Sequence, residues 1–404
     1  MDIHNGSVYW PSTLPSKEPR HAPEKLEKYD VIIVGGGMSG SLTALAFVEA
    51  GLKVAVLDKR QMATGSTMAN TGLLQYSNDI MLHELIDQIG EQEAVRFYQI
   101  CYEAVNQLKM VAKRLPSSAD FIMRPSICYA SSEEDVPKIK KEYETLKKHG
   151  FPCDYWEQEE LSKHMAFTKA GALVTYDDAE VNPYKFVNGV LDIIEEKGGH
   201  LFEFVEVQDV FTIDDQISVR TSVGEFSSSN IIYTTGYETV PVGNRIGADI
   251  NRSYAMVTKP VDDFTQWHEH ALIWETARPY LYVRTTAENR IIIGGLDEEN
   301  AQAPQSLELI ENRGEILLKK LQDLFPQYNL ETDYVYGATF GESIDNLPFI
   351  GQHPTKEKHY YLLGYGGNGT VYSMLGSHIL RDLIMIGHHP DAHLVELDRK
   401  YGVK

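Results

Sequence analysis

Cysteine is scarce in this sequence, with three residues in 404. Long apolar runs and positive charge are also scarce, and each of these shortages excludes a class of protein. Cys101, Cys128 and Cys153 form neither a C-x-x-C pair nor a metal-ligand spacing, so we expect buried, reduced thiols and no metal site. No apolar run approaches the roughly twenty residues of a membrane span, and the N-terminus lacks a hydrophobic signal segment. These absences favour a cytoplasmic protein.

Basic residues are also few compared with acidic ones. Lysine and arginine total 37 against 58 aspartates and glutamates, a formal net charge of −21. Such a surface repels nucleic acid and anionic membranes, so neither is expected as a partner. The hydrophobic fraction of 43% is ordinary for a globular protein, and the length allows two domains with separate cores.

One stretch, residues 29–58, organises the rest of the chain. Its apolar run Val31–Val34 has the length and β-branched content of a buried strand. Glycines follow at 35, 37 and 40, the G-x-G-x-x-G spacing, and an apolar helical pattern then runs to Gly51. A second buried strand ends in Asp58. The order strand, glycine turn, helix, strand and acid is typical of a dinucleotide-binding unit.

Each part of that unit has a physical task. Gly35 permits a tight turn, Gly37 lets the backbone approach a pyrophosphate, and Gly40 lets helix and strand pack closely. The N-terminus of the helix adds partial positive charge, and Asp58 stands where an acid binds a ribose hydroxyl. A second G-x-G-x-x-G and a redox cysteine pair are both missing, which disfavours a disulfide reductase.

The remaining patterns are coarser. Residues 1–28 show no core-forming periodicity, although Tyr9 and Trp10 could pin this arm to the body. Apolar residues three or four apart predict one long helix over 79–115. Residues 245–300 look like an aromatic-rich strand meander, typical of a pocket wall. Further strands are predicted at 127–130, 172–176, 201–206, 210–213, 217–220, 231–234, 334–340 and 360–363, and further helices over 136–146, 183–197, 307–325 and 370–385.

Residues 364–369 form a second glycine loop between a strand and a helix, with four glycines in six residues. Glycines let a ligand meet bare backbone, and the helix start lends positive charge. A flexible loop is the simpler interpretation, but the well-patterned helix behind it favours a ligand site.

Eight ordered segments together resemble the D-amino-acid oxidase superfamily of FAD-dependent oxidoreductases, which includes glycine, sarcosine and gamma-glutamylputrescine oxidases. The segments are YDVIIVGGGMSG, VAVLDKR, GSTMANTGLL, FEFVEVQDV, IIYTTG, YLYVRTTAENRIIIGG, SIDNLPFIG and LGYGGNG. The resemblance implies an α/β fold, with a Rossmann-type FAD-binding domain and a discontinuous α+β substrate domain on a mainly antiparallel sheet. It places an arm at 1–28, the FAD-binding domain at 29–84, 178–245 and 334–404, and the substrate domain at 85–177 and 246–333.

The resemblance also implies which residues hold the cofactor. FAD would lie along Gly35, Gly37, Met38, Ser39, Gly40, Asp58, Lys59, Ser66, Thr67, Thr71, Gly72, Leu73, Val207, Gly236, Gly366, Gly367, Asn368, Gly369 and Thr370. Relatives that bind flavin covalently use a histidine or a cysteine that the matching segments GSTMANTG and YGATFGESIDNLPFIG lack, so non-covalent FAD is expected.

Arg284 matches the arginine that grips the substrate carboxylate in glycine and D-amino-acid oxidases, and a guanidinium suits a carboxylate bidentately. A structural ion pair at a strand end is an equally open interpretation. Tyr254 and Tyr282 are weaker candidates for the pocket, because aromatic residues on alternating strands are more often core.

The reaction implied is hydride transfer from the carbon next to nitrogen, in a small amine or amino acid, to flavin N5. Oxygen or another acceptor would then take the electrons. Two alternatives stay open at this point: a flavin dehydrogenase of a 2-hydroxy acid or glycerol phosphate, and a non-catalytic FAD-binding subunit.

Overall fold

The computed structural model describes residues 3–21, 27–238 and 249–399, which build two sheets flanked by helices. The helices are α1 (Met38–Glu49), α2 (Ser66–Ala69), α3 (Leu82–Ile89), α4 (Glu91–Ala112), α5 (Val136–Lys148), α6 (Gln158–His164), α7 (Pro183–Glu196), α8 (Leu307–Leu324) and α9 (Gly369–Ile386). The strands are β1 (His4–Gly6), β2 (Lys28–Val34), β3 (Val54–Leu57), β4 (Leu73–Leu74), β5 (Ile122–Tyr129), β6 (Cys153–Glu157), β7 (Gly171–Glu180), β8 (His200–Phe202), β9 (Val207–Ile213), β10 (Gln216–Thr221), β11 (Gly224–Tyr233), β12 (Asp249–Thr258), β13 (Leu272–Glu275), β14 (Tyr282–Thr285), β15 (Ile291–Glu298), β16 (Thr332–Glu342), β17 (Phe349–Gln352) and β18 (His359–Leu363).

The smaller sheet carries the dinucleotide unit and has the order β17-β18-β11-β2-β3-β8, with β9 and β10 continuing as antiparallel strands from β11. Five strands of this sheet run parallel to one another, namely β18, β11, β2, β3 and β8. Helices α1, α7 and α9 pack together on it. On β3, Val54 and Val56 belong to the apolar cluster beneath these helices, and Ala55 and Leu57 belong to a second cluster with residues of β10 and β11. Both faces are therefore covered at the centre, which explains why β3 is an uninterrupted apolar run with every residue buried.

The larger sheet has the order β1-β16-β12-β15-β14-β13-β5-β7-β4, with β6 also paired to β7. Its described pairs are antiparallel, except that β13 and β5 run parallel. Helix α8 packs against β12, β15 and β16 and closes one face over an apolar cluster. The chain crosses between the sheets five times, and the mixed α/β fold with an antiparallel second sheet agrees with the predicted fold class.

The N-terminal arm is part of the larger sheet, which its lack of periodicity did not indicate. Strand β1 pairs with β16, and the next residues bury Tyr9 and Trp10 at 2% and 1% exposure. The Trp10 indole donates a hydrogen bond of 2.6 Å to the Asn70 carbonyl, and the Tyr9 hydroxyl donates one of 2.7 Å to Glu288. The arm therefore covers the segment around residue 70. Residues 22–26 lie outside the described part.

Two predicted elements are wrong in extent. The long helix over 79–115 is two helices, α3 and α4, because Gly90 takes φ 92° between them and breaks the ladder. The strand predicted at 201–206 ends at Phe202, and the chain leaves the sheet before β9 begins at Val207. The strand β6 and the helix α6 were not predicted.

The predicted domain ranges can be compared with sheet membership. Strand β16 lies in the larger sheet, so residues up to Glu342 go with the predicted substrate domain instead of the FAD-binding domain from 334. Strand β4 also pairs in the larger sheet, ahead of the predicted change at 84, and β7 stays in it to Glu180. The predicted change at 245 lies outside the described residues. Across the described ranges, no helix is long and apolar enough to cross a membrane.

Candidate active site

The glycine turn after β2 is tight enough that side chains are excluded from it. A Cβ built on Gly40 would lie 1.8 Å from the Gly35 carbonyl oxygen, so helix α1 can approach the turn only without one. Gly35 itself has φ 107°, a conformation that strongly favours glycine. Gly37 caps α1, and the first turn of that helix lies against Thr67, whose hydroxyl accepts a hydrogen bond of 3.2 Å from the Met38 amide. The turn presents bare backbone at a helix N-terminus, which suits a phosphate group.

Asp58 closes this site at the end of β3. Its carboxylate accepts hydrogen bonds from the Gly36 amide at 2.7 Å and the Arg60 amide at 2.8 Å, so it also fixes the glycine turn. Burial raises the pKa of the Asp58 carboxyl, and the two amide donors oppose this rise. Beside it, Glu238 accepts hydrogen bonds from Lys59 at 2.9 Å and from Arg60 at 2.7 Å. The cations in this region are therefore paired within the protein.

The second glycine loop is held by the segment before α3. The Gly367 amide donates a hydrogen bond of 2.7 Å to the Asp79 carboxylate, and a Cβ on Gly367 would lie 2.9 Å from that carboxylate. Asn368, which caps α9 and is buried, donates to the Ser77 carbonyl at 2.7 Å and to the Asn78 side chain at 3.0 Å. Sequence analysis predicted the loop as a ligand site; the structure adds these acidic and amide partners.

Two cavities meet between the glycine loops. The first, here called the glycine groove, has a volume of 290 Å³ and runs along the first turn, Asp58, and residues 205–207 and 234–238. The second, here called the aromatic cavity, has a volume of 190 Å³ and lies between the second glycine loop and the larger sheet. Ser66, Asn70, Tyr237 and Gly369 line both. The two cavities are thus parts of one elongated site that spans both sheets.

The aromatic cavity takes its walls from segments far apart in the chain. Its aromatic side chains are Tyr237, Tyr254, Trp274, Tyr280, Tyr282, Tyr336 and Phe340. Its polar side chains are Ser66, Asn70, Thr71, Gln75, Ser77, Asn78, Asp79, Ser253, Asp297, Thr339 and Asn368. Most were not singled out from the sequence, because no local motif connects them. The predicted aromatic meander over 245–300 was the one signal that pointed toward part of this wall.

Nearly all of the predicted cofactor residues line one of the two cavities. The glycine groove is lined by Gly35, Gly37, Met38, Ser39, Asp58, Lys59, Ser66, Thr67, Val207, Gly236, Gly369 and Thr370. The aromatic cavity is lined by Ser66, Thr71, Leu73, Gly366, Gly367, Asn368 and Gly369. Gly40 and Gly72 line neither; Gly40 serves close packing, and a Cβ on Gly72 would lie 2.2 Å from the Val181 carbonyl oxygen. Tyr254 and Tyr282 line the aromatic cavity, and their roles stay proposals.

Arg284 is not among the residues that line the aromatic cavity, and its contacts favour the second of the two interpretations, a structural ion pair, over a grip on a substrate carboxylate. Its side chain is 1% exposed, and the guanidinium donates hydrogen bonds to the carbonyls of Gly72 at 2.8 Å, Val181 at 2.7 Å and Thr285 at 2.7 Å. The ring of Trp10 lies 5.5 Å from the guanidinium carbon, and the Glu180 carboxylate lies 3.7 Å from Nε. Arg284 is therefore a structural cation behind residues 71–72.

The residues present fit FAD. A glycine turn that a single Cβ would fill, an acid at the end of β3, and a groove that opens toward a second helix N-terminus provide for pyrophosphate, ribose and an aromatic ring system in order. The groove residues would hold the dinucleotide part, and Gly366–Gly369 with Thr71 would border the flavin. The flavin supplies the chemistry of hydride acceptance.

Comparison with known proteins points to one family. The profile of the family described as FAD dependent oxidoreductase matches residues 30–383. Gamma-glutamylputrescine oxidoreductase of Escherichia coli (strain K12) is 24% identical over 379 residues, covering 88% of this chain and 83% of that protein. Glycine oxidase of Geobacillus kaustophilus (strain HTA426) is 22% identical over 372 residues, covering 88% and 93%. A crystal structure of glycine oxidase from Geobacillus kaustophilus has a TM-score of 0.78 at 20% identity, covering 92% of this chain and 99% of that one.

Proposed function

The chain belongs to the family of FAD dependent oxidoreductases and is an FAD-dependent enzyme, and from this premise we propose that it oxidises a carbon–nitrogen bond in a small amine or amino acid. The hydride would leave the carbon next to nitrogen. The names of the relatives support this choice, because glycine oxidase and gamma-glutamylputrescine oxidoreductase are both named for nitrogen-bearing compounds.

The main support for this proposed oxidation is the place where the two cavities meet. The aromatic cavity opens onto the glycine groove at Gly369, the first residue of α9, so a substrate in the cavity and the flavin end of the cofactor would share one wall. Side chains of the larger sheet form the other wall. This arrangement holds a small substrate against the cofactor, and orientation of the reacting bond is the main requirement of the chemistry.

The alternative of a hydroxy acid or glycerol phosphate substrate fits the cavity less well. Anionic substrates of this kind are normally held by arginine or lysine. Among the described residues that line the aromatic cavity there is no lysine, arginine or histidine. The polar groups there are hydroxyls, amides and two carboxylates, which favour a substrate with an amine.

The test is anaerobic bleaching of the flavin in the purified holoenzyme, followed at the visible absorption band, across a panel of amines, amino acids and hydroxy acids. We expect at least one amine or amino acid to bleach the band and the hydroxy acids to leave it unchanged. Bleaching by a hydroxy acid or by glycerol phosphate alone would establish the alternative dehydrogenase. A band that no compound changes would support the non-catalytic subunit.

The same preparation tests the form of the cofactor. Because the matching segments lack an attachment histidine or cysteine, acid precipitation should release free FAD into the supernatant. Flavin that stays with the protein pellet would contradict non-covalent binding, and flavin of another identity would contradict the assignment of the glycine groove.

A further inference from the structure

Three consecutive acids, residues 297–299, stand at the end of β15 and just after it, and the structure gives each a different environment. Glu298 accepts hydrogen bonds from Arg252 at 2.5 Å and Tyr254 at 3.1 Å and also pairs with Arg313. Glu299 is exposed to solvent. Asp297 lines the aromatic cavity, and its Oδ1 atom is shielded from solvent without a hydrogen-bond partner among the described residues. One of the three acids is thus left for a ligand.

The backbone directs Asp297 to this place. The pairing of β15 with β12 shifts register opposite Ser253, which marks a β-bulge. Within the bulge Leu296 has φ 61°, a left-handed conformation that a leucine adopts only at a cost. Bulges and strained residues of this kind commonly re-aim a side chain at a functional site.

The second carboxylate of the cavity, that of Asp79, already accepts a hydrogen bond on each of its oxygens. One of its oxygens accepts the Gly367 amide at 2.7 Å and the other accepts the Tyr280 hydroxyl at 3.1 Å. It adds negative charge to the cavity while holding the glycine loop. Ser77 lies on the same wall, is 7% exposed, and has a hydroxyl with no hydrogen-bond partner in the described part of the chain. The cavity therefore offers a carboxylate oxygen and a hydroxyl, both unpaired.

Aromatic rings complete the lining. Trp274, Tyr280 and Tyr282 border the cavity, and the rings of Tyr280 and Tyr282 lie 5.9 Å apart at 55°. Electron-rich ring faces beside a carboxylate form a favourable environment for an organic cation. Arg278 stacks on Tyr280 at 4.8 Å, is exposed, and is not among the lining residues, so its charge acts on Asp297 only from outside the cavity.

We propose that the substrate is a small cationic amine whose ammonium group is bound by the Asp297 carboxylate against this aromatic wall, and not an amino acid held through its carboxylate. Before the hydride leaves the carbon next to nitrogen, the bound ammonium gives one proton to the Asp297 carboxylate, because only the neutral amine can become an iminium. The inference rests on the proposed function and narrows its substrate class. It follows from the Oδ1 atom of Asp297, which has no partner among the described residues while the Ser253 hydroxyl lies beside the carboxyl group, from the unpaired Ser77 hydroxyl, from the ring faces, and from the absence of a lysine, arginine or histidine from the described lining.

The experiment measures binding apart from turnover. Tetramethylammonium and acetate are titrated into the holoenzyme by calorimetry, because the first ion is a cation that cannot form an imine and the second represents a carboxylate. We expect tetramethylammonium to bind and acetate to show no saturable binding. Asp297→Asn should weaken tetramethylammonium binding at least fivefold, the effect of losing about one ion pair.

Glu299→Gln is the matched control, since it removes the same charge two residues away on an exposed side chain. Its dissociation constant for tetramethylammonium should stay within about twofold of the parent value, because an exposed charge is screened by solvent. Equal weakening in both variants would show a general charge effect and overturn the assignment of Asp297. Tighter binding of acetate than of tetramethylammonium would overturn the proposed substrate class.

Flavin bleaching separates this inference from the proposed function. If amino acids bleach the flavin and Asp297→Asn leaves or improves their rate, the inference is wrong and the proposed function stands. If tetramethylammonium binding depends on Asp297 while no amine or amino acid bleaches the flavin, the proposed function fails and the cation site stands. Bleaching by simple amines that slows in Asp297→Asn, but not in Glu299→Gln, supports both.

Discussion

Half of the residues that line the glycine groove lie between Val34 and Asn70, whereas the aromatic cavity is lined by shorter pieces of more segments that are far apart in the chain. Their charges differ as well. In the groove, Asp58 accepts two amides, and Glu238 is paired with Lys59 and Arg60. In the cavity, Asp297 has an oxygen without a partner among the described residues. These charged side chains of the groove are thus held by other protein groups, while the cavity keeps one carboxylate oxygen that a ligand could pair.

Arg284 lies behind residues 71–72, at the edge of the aromatic cavity, and replacing it tests how far that cavity depends on a buried support. In Arg284→Met the carbonyls of Gly72 and Val181 lose their donor and the Glu180 carboxylate loses a neighbouring cation. Breaking a buried charged contact of this kind costs about 3–5 kcal/mol. We expect the largest loss of stability of any change considered, seen as a lower denaturant midpoint, with amines and amino acids affected alike.

Arg278→Met provides the control, because it removes an exposed arginine at the outer side of Tyr280. Its denaturant midpoint should remain close to that of the parent. If Arg284→Met kept the parent's midpoint and lost activity on amino acids alone, the carboxylate-binding role first expected for Arg284 would be restored.

Gly40 tests the groove alone. In Gly40→Ala the added Cβ would have to lie 1.8 Å from the Gly35 carbonyl oxygen, so the turn must open. Overpacking of this kind costs about 2–3 kcal/mol, which corresponds to a loss of about 30- to 150-fold in FAD affinity. Fluorescence titration of the apoprotein with FAD measures the change.

Gly65→Ala is the matched glycine in the same groove, since its nearest contact would be the Ile3 side chain at 3.5 Å, an ordinary distance. Its FAD affinity should be unchanged within about twofold. Equal FAD affinity in the two variants would mean that the closeness of the glycine turn does not determine binding in the groove.

The contrast between the regions also explains what the sequence could predict. The part of the groove formed by residues 29–58 could be predicted, because residues that are close in this stretch of sequence are also close in the fold. Residues 364–369 are similarly local. The cavity depends on long-range pairing of strands, and a sequence of three adjacent acids at 297–299 does not say which one faces inward. The bulge at Leu296 decides this, and no pattern in the sequence marks it.

Arg284 shows a related limit. Strand alternation places Tyr282 and Arg284 on one face of β14, and this part of the expectation is physically sound. However, the segment at residues 71–72 and the ring of Trp10 cover the second position, so one side chain faces the cavity and the other is enclosed. The covering arm has no periodicity that would predict its docking. Packing between distant segments therefore encloses a side chain that its position in the strand alone would direct toward the cavity.

The smallest expected effect is the pH dependence of cation binding. It separates the two regions because the cation is bound in the aromatic cavity, where Asp297 gains or loses its charge. Burial raises the pKa of Asp297 above that of an ordinary aspartate; the Ser253 hydroxyl opposes this, the negative charge of Asp79 adds to it, and Arg278 opposes it. The ionisable groups that face it are Asp79, Arg278, Tyr280, Tyr282 and Glu342.

Below its pKa the Asp297 carboxyl is neutral and does not attract an ammonium ion, so affinity for tetramethylammonium should rise as pH increases through that pKa and then level off. Tetramethylammonium does not titrate, and therefore the change reports the protein alone. The rise should reach about fivefold, the same ion-pair effect that Asp297→Asn removes. Calorimetric titrations in mildly acidic and neutral buffers at fixed ionic strength measure it. Asp297→Asn should be flat across this range and Glu299→Gln should follow the parent; an affinity that falls as pH rises would contradict a carboxylate as the cation's partner.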